Sequence, residues 1–219
     1  MSQRKRNKFL FSIAVVIIVT WLVAWWYEPK LPETIPTHWN IDGEIDGWTK
    51  KPWGVYLLPV ISSISSLLLM LLPKIAPKGF KLGTAQSIYE LFVLIMAIFM
   101  FAVMVLTFES ALDQSVDANQ WIMVGIGILF VLIGNYLSKV PKNFFLGIRT
   151  PWTLSSDEVW YKTHRLGSWT FIACGFLVIL GGFFKWSTTL LIVILLSAAL
   201  VPLLYSLVIY KKIEGFDES

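Results

Sequence analysis

Six separate apolar runs, each long enough to cross a lipid bilayer, constrain this chain more than any other feature of its sequence. They extend over roughly Phe9 to Tyr27, Val55 to Leu72, Ile88 to Phe108, Trp121 to Leu137, Gly167 to Phe184 and Thr188 to Tyr210. The first run holds 19 residues. At a rise of ~1.5 Å per residue it reaches ~28 Å, which matches a hydrocarbon core of ~30 Å. It ends in Trp25, Trp26 and Tyr27 rather than at small residues, so it reads as an uncleaved anchor and not as a signal peptide. A hydrophobic content of 56% against 15% charged residues leaves too little polar surface for a water-soluble fold. The sequence therefore predicts an all-α polytopic membrane protein, a bundle of about six transmembrane helices. Tryptophan favours the interface between hydrocarbon and water, and Trp25, Trp26, Trp48, Trp53, Trp121 and Trp186 stand at the edges of the runs.

The basic residues fix an expected orientation. With the N-terminus placed in the cytoplasm, 14 of the 18 Lys and Arg fall on the cytoplasmic side, leaving Lys30, Lys50, Lys51 and Lys185 outside. Lys and Arg in short loops are retained on the inner side, so the expected topology has both termini in the cytoplasm. The same sorting accounts for the net charge of +4 without nucleic acid, and no direct nucleic-acid contact is expected. Cys174 is the single cysteine, which excludes an intramolecular disulfide and a cysteine metal cluster. It reads as a small packing residue.

Two connections are too long to be simple turns, residues 28–54 outside and 138–166 inside, and long ordered loops tend to carry function. The expected organisation is a first unit, residues 1–86, holding two transmembrane helices and the extracytoplasmic loop. A second unit, residues 87–219, holds four helices and the cytoplasmic loop.

The outer loop reads EPKLPETIPTHWNIDGEIDGWTKKPWG. Pro29, Pro32 and Pro36 hold the chain extended, and Gly43 and Gly47 are expected to close turns, which gives a small ordered cap. Asp42, Glu44, Asp46 and Gly47 copy the first half of a calcium-binding helix-loop-helix loop, but its twelfth position falls on Trp53 where a bidentate Glu is needed. A solvated acidic turn is the expectation, with no metal. The candidate residues of this loop are His38, Trp39, Asp42, Asp46 and Trp48. His38 and His164 fall on opposite sides of the membrane, so they cannot share a ligand.

The inner segment from Gly134 reads GNYLSKVPKNFFLGIRTPWTLSSDEVWYKTHRLG. Pro141 and Pro151 forbid a continuous helix, and Asn143 to Leu146 with Trp152 form a short aromatic stretch suited to lying against the inner leaflet. Ser155 followed by Glu158 has the pattern of a capping box, so a helix should begin near Ser156 and continue into the fifth span. On that helix Trp160 and His164 share a face, and Glu158 reaches Lys162. Arg149 needs an anionic partner in this setting. A lipid phosphate, Glu90 on the third span or Asp157 could supply it.

The string NFFLGIRTPWTLSSDEVWYKTHRLG resembles the signature of the SdpI family, and IPTHWNIDGEIDGW resembles the small extracytoplasmic module that often precedes it. The resemblance implies a multi-pass protein of the bacterial plasma membrane that gives immunity against a secreted toxic antimicrobial peptide. It also implies a signalling role, in which the protein holds a small cytoplasmic repressor at the membrane. Carried onto this chain, it points to Asn143, Gly147, Arg149, Thr150, Pro151, Trp152, Trp160, Thr163 and His164 as the functional loop; Glu90, from the residues alone, is one candidate ion-pair partner of Arg149.

No nucleophile with its base, carboxylate pair or cofactor motif is legible on either side of the membrane, so no catalytic residue and no cofactor are expected. Membrane lipid is an expected partner. The competing class is a small transporter or flippase-like exporter of an amphipathic compound, in which Gly125, Gly127 and Gly134 on the fourth span and Ser62, Ser63, Ser65 and Ser66 on the second would line a path. Small residues also serve helix packing, and mid-membrane charge is scarce.

Overall fold

A computed structural model describes residues 3–40, 43–75 and 82–215. Helix α1 (Gln3–Tyr27) leads into strands β1 (Thr34–Trp39) and β2 (Ile45–Lys50), and then into α2 (Trp53–Leu71). Helices α3 (Gln86–Leu112) and α4 (Ala118–Leu137) follow, then a short α5 (Pro151–Ser155), α6 (Asp157–Phe183) and α7 (Thr188–Ile213). Six of these helices are long and apolar enough to span a bilayer, and many large side chains on them, Leu22, Ile64, Leu196 and Val208 among them, are exposed. Such a surface is stable only when lipid covers it. The chain is a helical, multi-pass membrane protein.

Local chemistry places the helix starts. Asp117 accepts the Gln120 N–H at 3.0 Å to cap α4, Ser156 caps α6 through the Val159 N–H, and Ser187 caps α7 through the Leu190 N–H. The expected cap at Ser155 lies one residue too early. Ser155 belongs to the last turn of α5 and donates to the Trp152 carbonyl, whereas Ser156 takes the extended backbone that a cap requires.

Two groups of helices form. In the first, α1, α2 and α3 pack together; in the second, α6 packs against α4 and α7, and α3 also touches α4. The α4–α6 seam is made by glycine. A Cβ on Gly127 would stand 2.7 Å from the Gly175 carbonyl oxygen, and one on Gly134 would stand 2.9 Å from the Ser168 oxygen. The Ser168 hydroxyl also donates to the Gly134 carbonyl at 2.6 Å. Close backbone approach of this kind drives helix association where lipid offers no hydrophobic incentive. Gly127 and Gly134 are therefore packing residues, and Gly125 faces Phe99.

The segment after α1 forms a two-stranded antiparallel hairpin, an addition to the all-helical expectation. Ile35, fully buried, seats it on Ala24, Val55, Met104 and Phe108 at one end of the first helix group. Lys51 donates to the Glu28 and Leu31 carbonyls at 2.5 and 2.6 Å, Tyr56 donates to Glu28 at 3.0 Å, and Tyr27 donates to Glu109. Gly43, at φ +84°, makes the expected turn. Gly47 does not; it lies inside β2, where a Cβ would press to 2.7 Å from that of His38. Below, this end is the hairpin face, and the end where α1 begins and α7 finishes is the terminal face.

Candidate functional site

The segment between α4 and α6 is a compact clamp on the terminal face. Asn143 starts it. Its side-chain oxygen accepts the Phe145 and Leu146 N–H groups at 2.7 and 2.8 Å, while its amide donates to the Pro141 and Leu146 carbonyls at 2.8 and 3.3 Å. A buried amide with all these contacts fixes the turn without regular structure.

Gly147 then takes φ +101°, a conformation that L side chains rarely adopt, and a Cβ there would overlap Nε2 of His164. That approach lets the next residue meet the histidine: the Ile148 N–H donates to His164 Nε2 at 3.0 Å. The other ring nitrogen, Nδ1, donates to the Trp160 carbonyl at 2.8 Å. The geometry specifies the neutral ring with its proton on Nδ1, because a proton on Nε2 would face the Ile148 N–H. The ring is buried and stacks on Trp160 at a centroid distance of 3.9 Å, and the Trp160 indole donates to the Val140 carbonyl at 2.9 Å. One turn of α6 thus holds both ends of the loop.

Thr150 caps α5 in a reciprocal box with Thr153, and Pro151 occupies the first helical turn, where no N–H is needed. The Thr153 hydroxyl reaches back to the Ile148 carbonyl at 2.8 Å, and the Thr150 hydroxyl bonds Ser206 of α7 at 3.1 Å. Loop, α5 and α7 are joined through these buried hydroxyls. Trp152 is half-buried on α5. Thr163 is fully buried, and its hydroxyl has no partner among the described residues.

Arg149 differs from its neighbours in being exposed, and its guanidinium donates to the Phe144 carbonyl. The pairing with Glu90 anticipated above is replaced by other contacts. Glu90 is buried and accepts from Gln86 at 2.8 Å, Asp157 pairs with Lys142, and among the described residues no ion pair joins Arg149 to either acid. The loop's own carbonyl lies closer to the guanidinium than either carboxylate does. Glu158 pairs with Lys162 at 2.7 Å, as the spacing required.

The structure brings Gly147, Trp160 and His164 into contact, and Asn143, Thr150 and Pro151 into the same loop. Ser206 and Thr153, which complete the clamp, escape a reading of the sequence. For Ser206 the signal was a hydroxyl in a mostly apolar span, which membrane helices use to bond a neighbour.

The hairpin face carries the other candidates. His38 Nδ1 lies 2.5 Å from the Asp46 carboxylate, with both side chains well exposed. Trp48 is exposed, Trp39 half-buried, and Asp42 lies outside the described residues. Asp46 of the acidic turn is thus engaged by His38. No group of three metal-binding side chains occurs among the described residues.

Fold and clamp together define a six-span membrane protein whose terminal-face loop is fastened to the start of one span and the end of another. Residues 139–206, which enclose the whole clamp up to Ser206, match the SdpI/YfhL protein family. Residues 15–62, the hairpin with the adjoining halves of α1 and α2, match a domain of unknown function, DUF1648. The segment that forms the clamp is thus similar to the SdpI family. It is 28% identical over 214 residues to a Bacillus subtilis (strain 168) protein named Immunity protein SdpI, covering 96% of this chain and 99% of that one. No solved structure matches significantly.

Proposed function

We propose that this chain is a non-enzymatic immunity protein of the bacterial plasma membrane, protecting its cell from a secreted toxic peptide. The observation that carries the reading is the end-to-end similarity to Immunity protein SdpI, with the family match falling on the clamp. The proposed arrangement puts the terminal face in the cytoplasm and the hairpin outside, with the division at residues 86 and 87 separating the hairpin-bearing pair of helices from the four-helix unit. The clamp is the working part. It holds Arg149 exposed on a rigid base, where a partner at the inner leaflet, such as a small cytoplasmic repressor, could read its position. The exporter reading is disfavoured because Gly127 and Gly134, which would have lined a path, are consumed by helix contact.

The test is expression in a Bacillus subtilis strain lacking Immunity protein SdpI, challenged with medium conditioned by toxin-secreting siblings. Survival above the empty-vector control supports the proposal. Unchanged killing, with the protein present in the membrane, opposes it.

A further inference from the structure

Between α3 and α4, and bordered at the terminal face by the clamp, lies a cavity of about 680 Å³. Phe92 and Met96 of α3, Leu129 and Ile133 of α4, and Leu146 of the loop line it, and Arg149 is its one charged residue among those described. From Leu137 to Leu129 it follows α4 for eight residues, which at ~1.5 Å each is a depth of about 12 Å. An apolar slot with a cation at one end is half of an amphiphile's complement.

The cation is available. A guanidinium offers five N–H donors in a planar fork, and the Phe144 carbonyl occupies part of it. Glu90 and Asp157, the nearby acids the sequence offered, have other partners. An exposed guanidinium at the mouth of an apolar cavity in a membrane protein favours an anion there, and a phosphate diester accepts two of its N–H groups at once. Inorganic phosphate would leave the apolar walls without contact. A soluble peptide carboxylate would have to enter a slot that runs along two membrane spans.

We propose that this cavity is a binding site for one phospholipid, its phosphate held by Arg149 and one acyl chain lying between α3 and α4. The site does not depend on the immunity reading, and its test contains no toxin. Full-length protein, delipidated in mild detergent, is titrated with dioleoyl phosphatidylglycerol and observed by native mass spectrometry. The expected result is one saturable lipid per chain. Arg149→Gln, at an exposed position, should weaken it about tenfold or more, and dioleoylglycerol, which lacks the phosphate, should bind as weakly as that variant does to phosphatidylglycerol. Ile133→Trp should fill the slot and remove the adduct, while Leu196→Trp, on an exposed part of α7 outside the cavity, should leave it unchanged. Helical circular dichroism of each variant reports folding. Equal binding by wild type and Arg149→Gln, equal binding of the two lipids, or multiple unsaturable adducts insensitive to Ile133→Trp would each overturn the proposal.

Discussion

Gly147→Ala is the substitution the clamp should tolerate least. At φ +101° an L residue carries roughly 1 to 3 kcal/mol of backbone strain. The new methyl group would also overlap His164 Nε2, so the ring must turn away and the Ile148 N–H loses its acceptor. A part-buried donor left without a partner costs about 1 to 3 kcal/mol more. Destabilisation of about 2 to 6 kcal/mol follows, measured by denaturant titration of detergent-solubilised protein with helical circular dichroism as the signal. A double-mutant cycle separates the two contributions. His164→Ala removes the overlap but leaves the strain, so the double variant should be about 1 to 3 kcal/mol more stable than the sum of the single losses. Strictly additive losses, or wild-type stability for Gly147→Ala, would refute the claim that this glycine exists to admit the histidine.

The glycine seam predicts that Gly127→Leu separates α4 from α6 and lowers stability by about 1 to 3 kcal/mol or more, because the obstruction is the Gly175 and Ile179 backbone. Gly125→Ala, which meets a Phe99 ring edge at 3.3 Å, should be close to neutral; both are read in the same unfolding titration. For topology, Gln114→Cys on a Cys174→Ala background should react with an impermeant thiol reagent in intact cells, and Lys211→Cys should react only after the membrane is opened. The reverse pattern would invert the assignment of faces. Because Asp46 engages His38 and the loop lacks its twelfth ligand, calorimetry should show no specific calcium binding; micromolar affinity would contradict this.

The spans were legible in the sequence because each is a continuous apolar run, a signal that needs no tertiary context. Five of the six begin earlier in the structure. Helix α1 begins at Gln3 rather than Phe9 since charged residues continue a helix beyond the hydrocarbon. The hairpin was harder to see, with Pro36 in one strand and Gly47 in the other weakening the strand pattern. What stabilises it is the docking of Ile35 on helix ends distant in sequence. The glycine seam has a visible spacing, Gly127 with Gly134 and Ser168, Gly175 and Gly182 seven apart, yet spacing alone does not tell a packed seam from a lined path. His164 shows the limit most clearly. One histidine in a chain with two carries no sign that its Nε2 accepts a backbone N–H 16 residues away. Glu90 and Arg149 were plausible partners by charge and depth, and only coordinates show the closer contacts that engage each.

The most direct test of the account compares wild type, Arg149→Lys and Arg149→Ala in toxin-sensitive cells at matched, immunoblotted membrane abundance. Among the described residues Arg149 is exposed and bonded within its own loop, so its loss leaves the clamp of Asn143, Gly147 and His164 intact. The account predicts survival with wild type, partial protection with Arg149→Lys, which keeps charge without the planar fork, and killing of cells carrying Arg149→Ala. Full survival with Arg149→Ala at normal abundance would contradict it and leave the loop a structural brace.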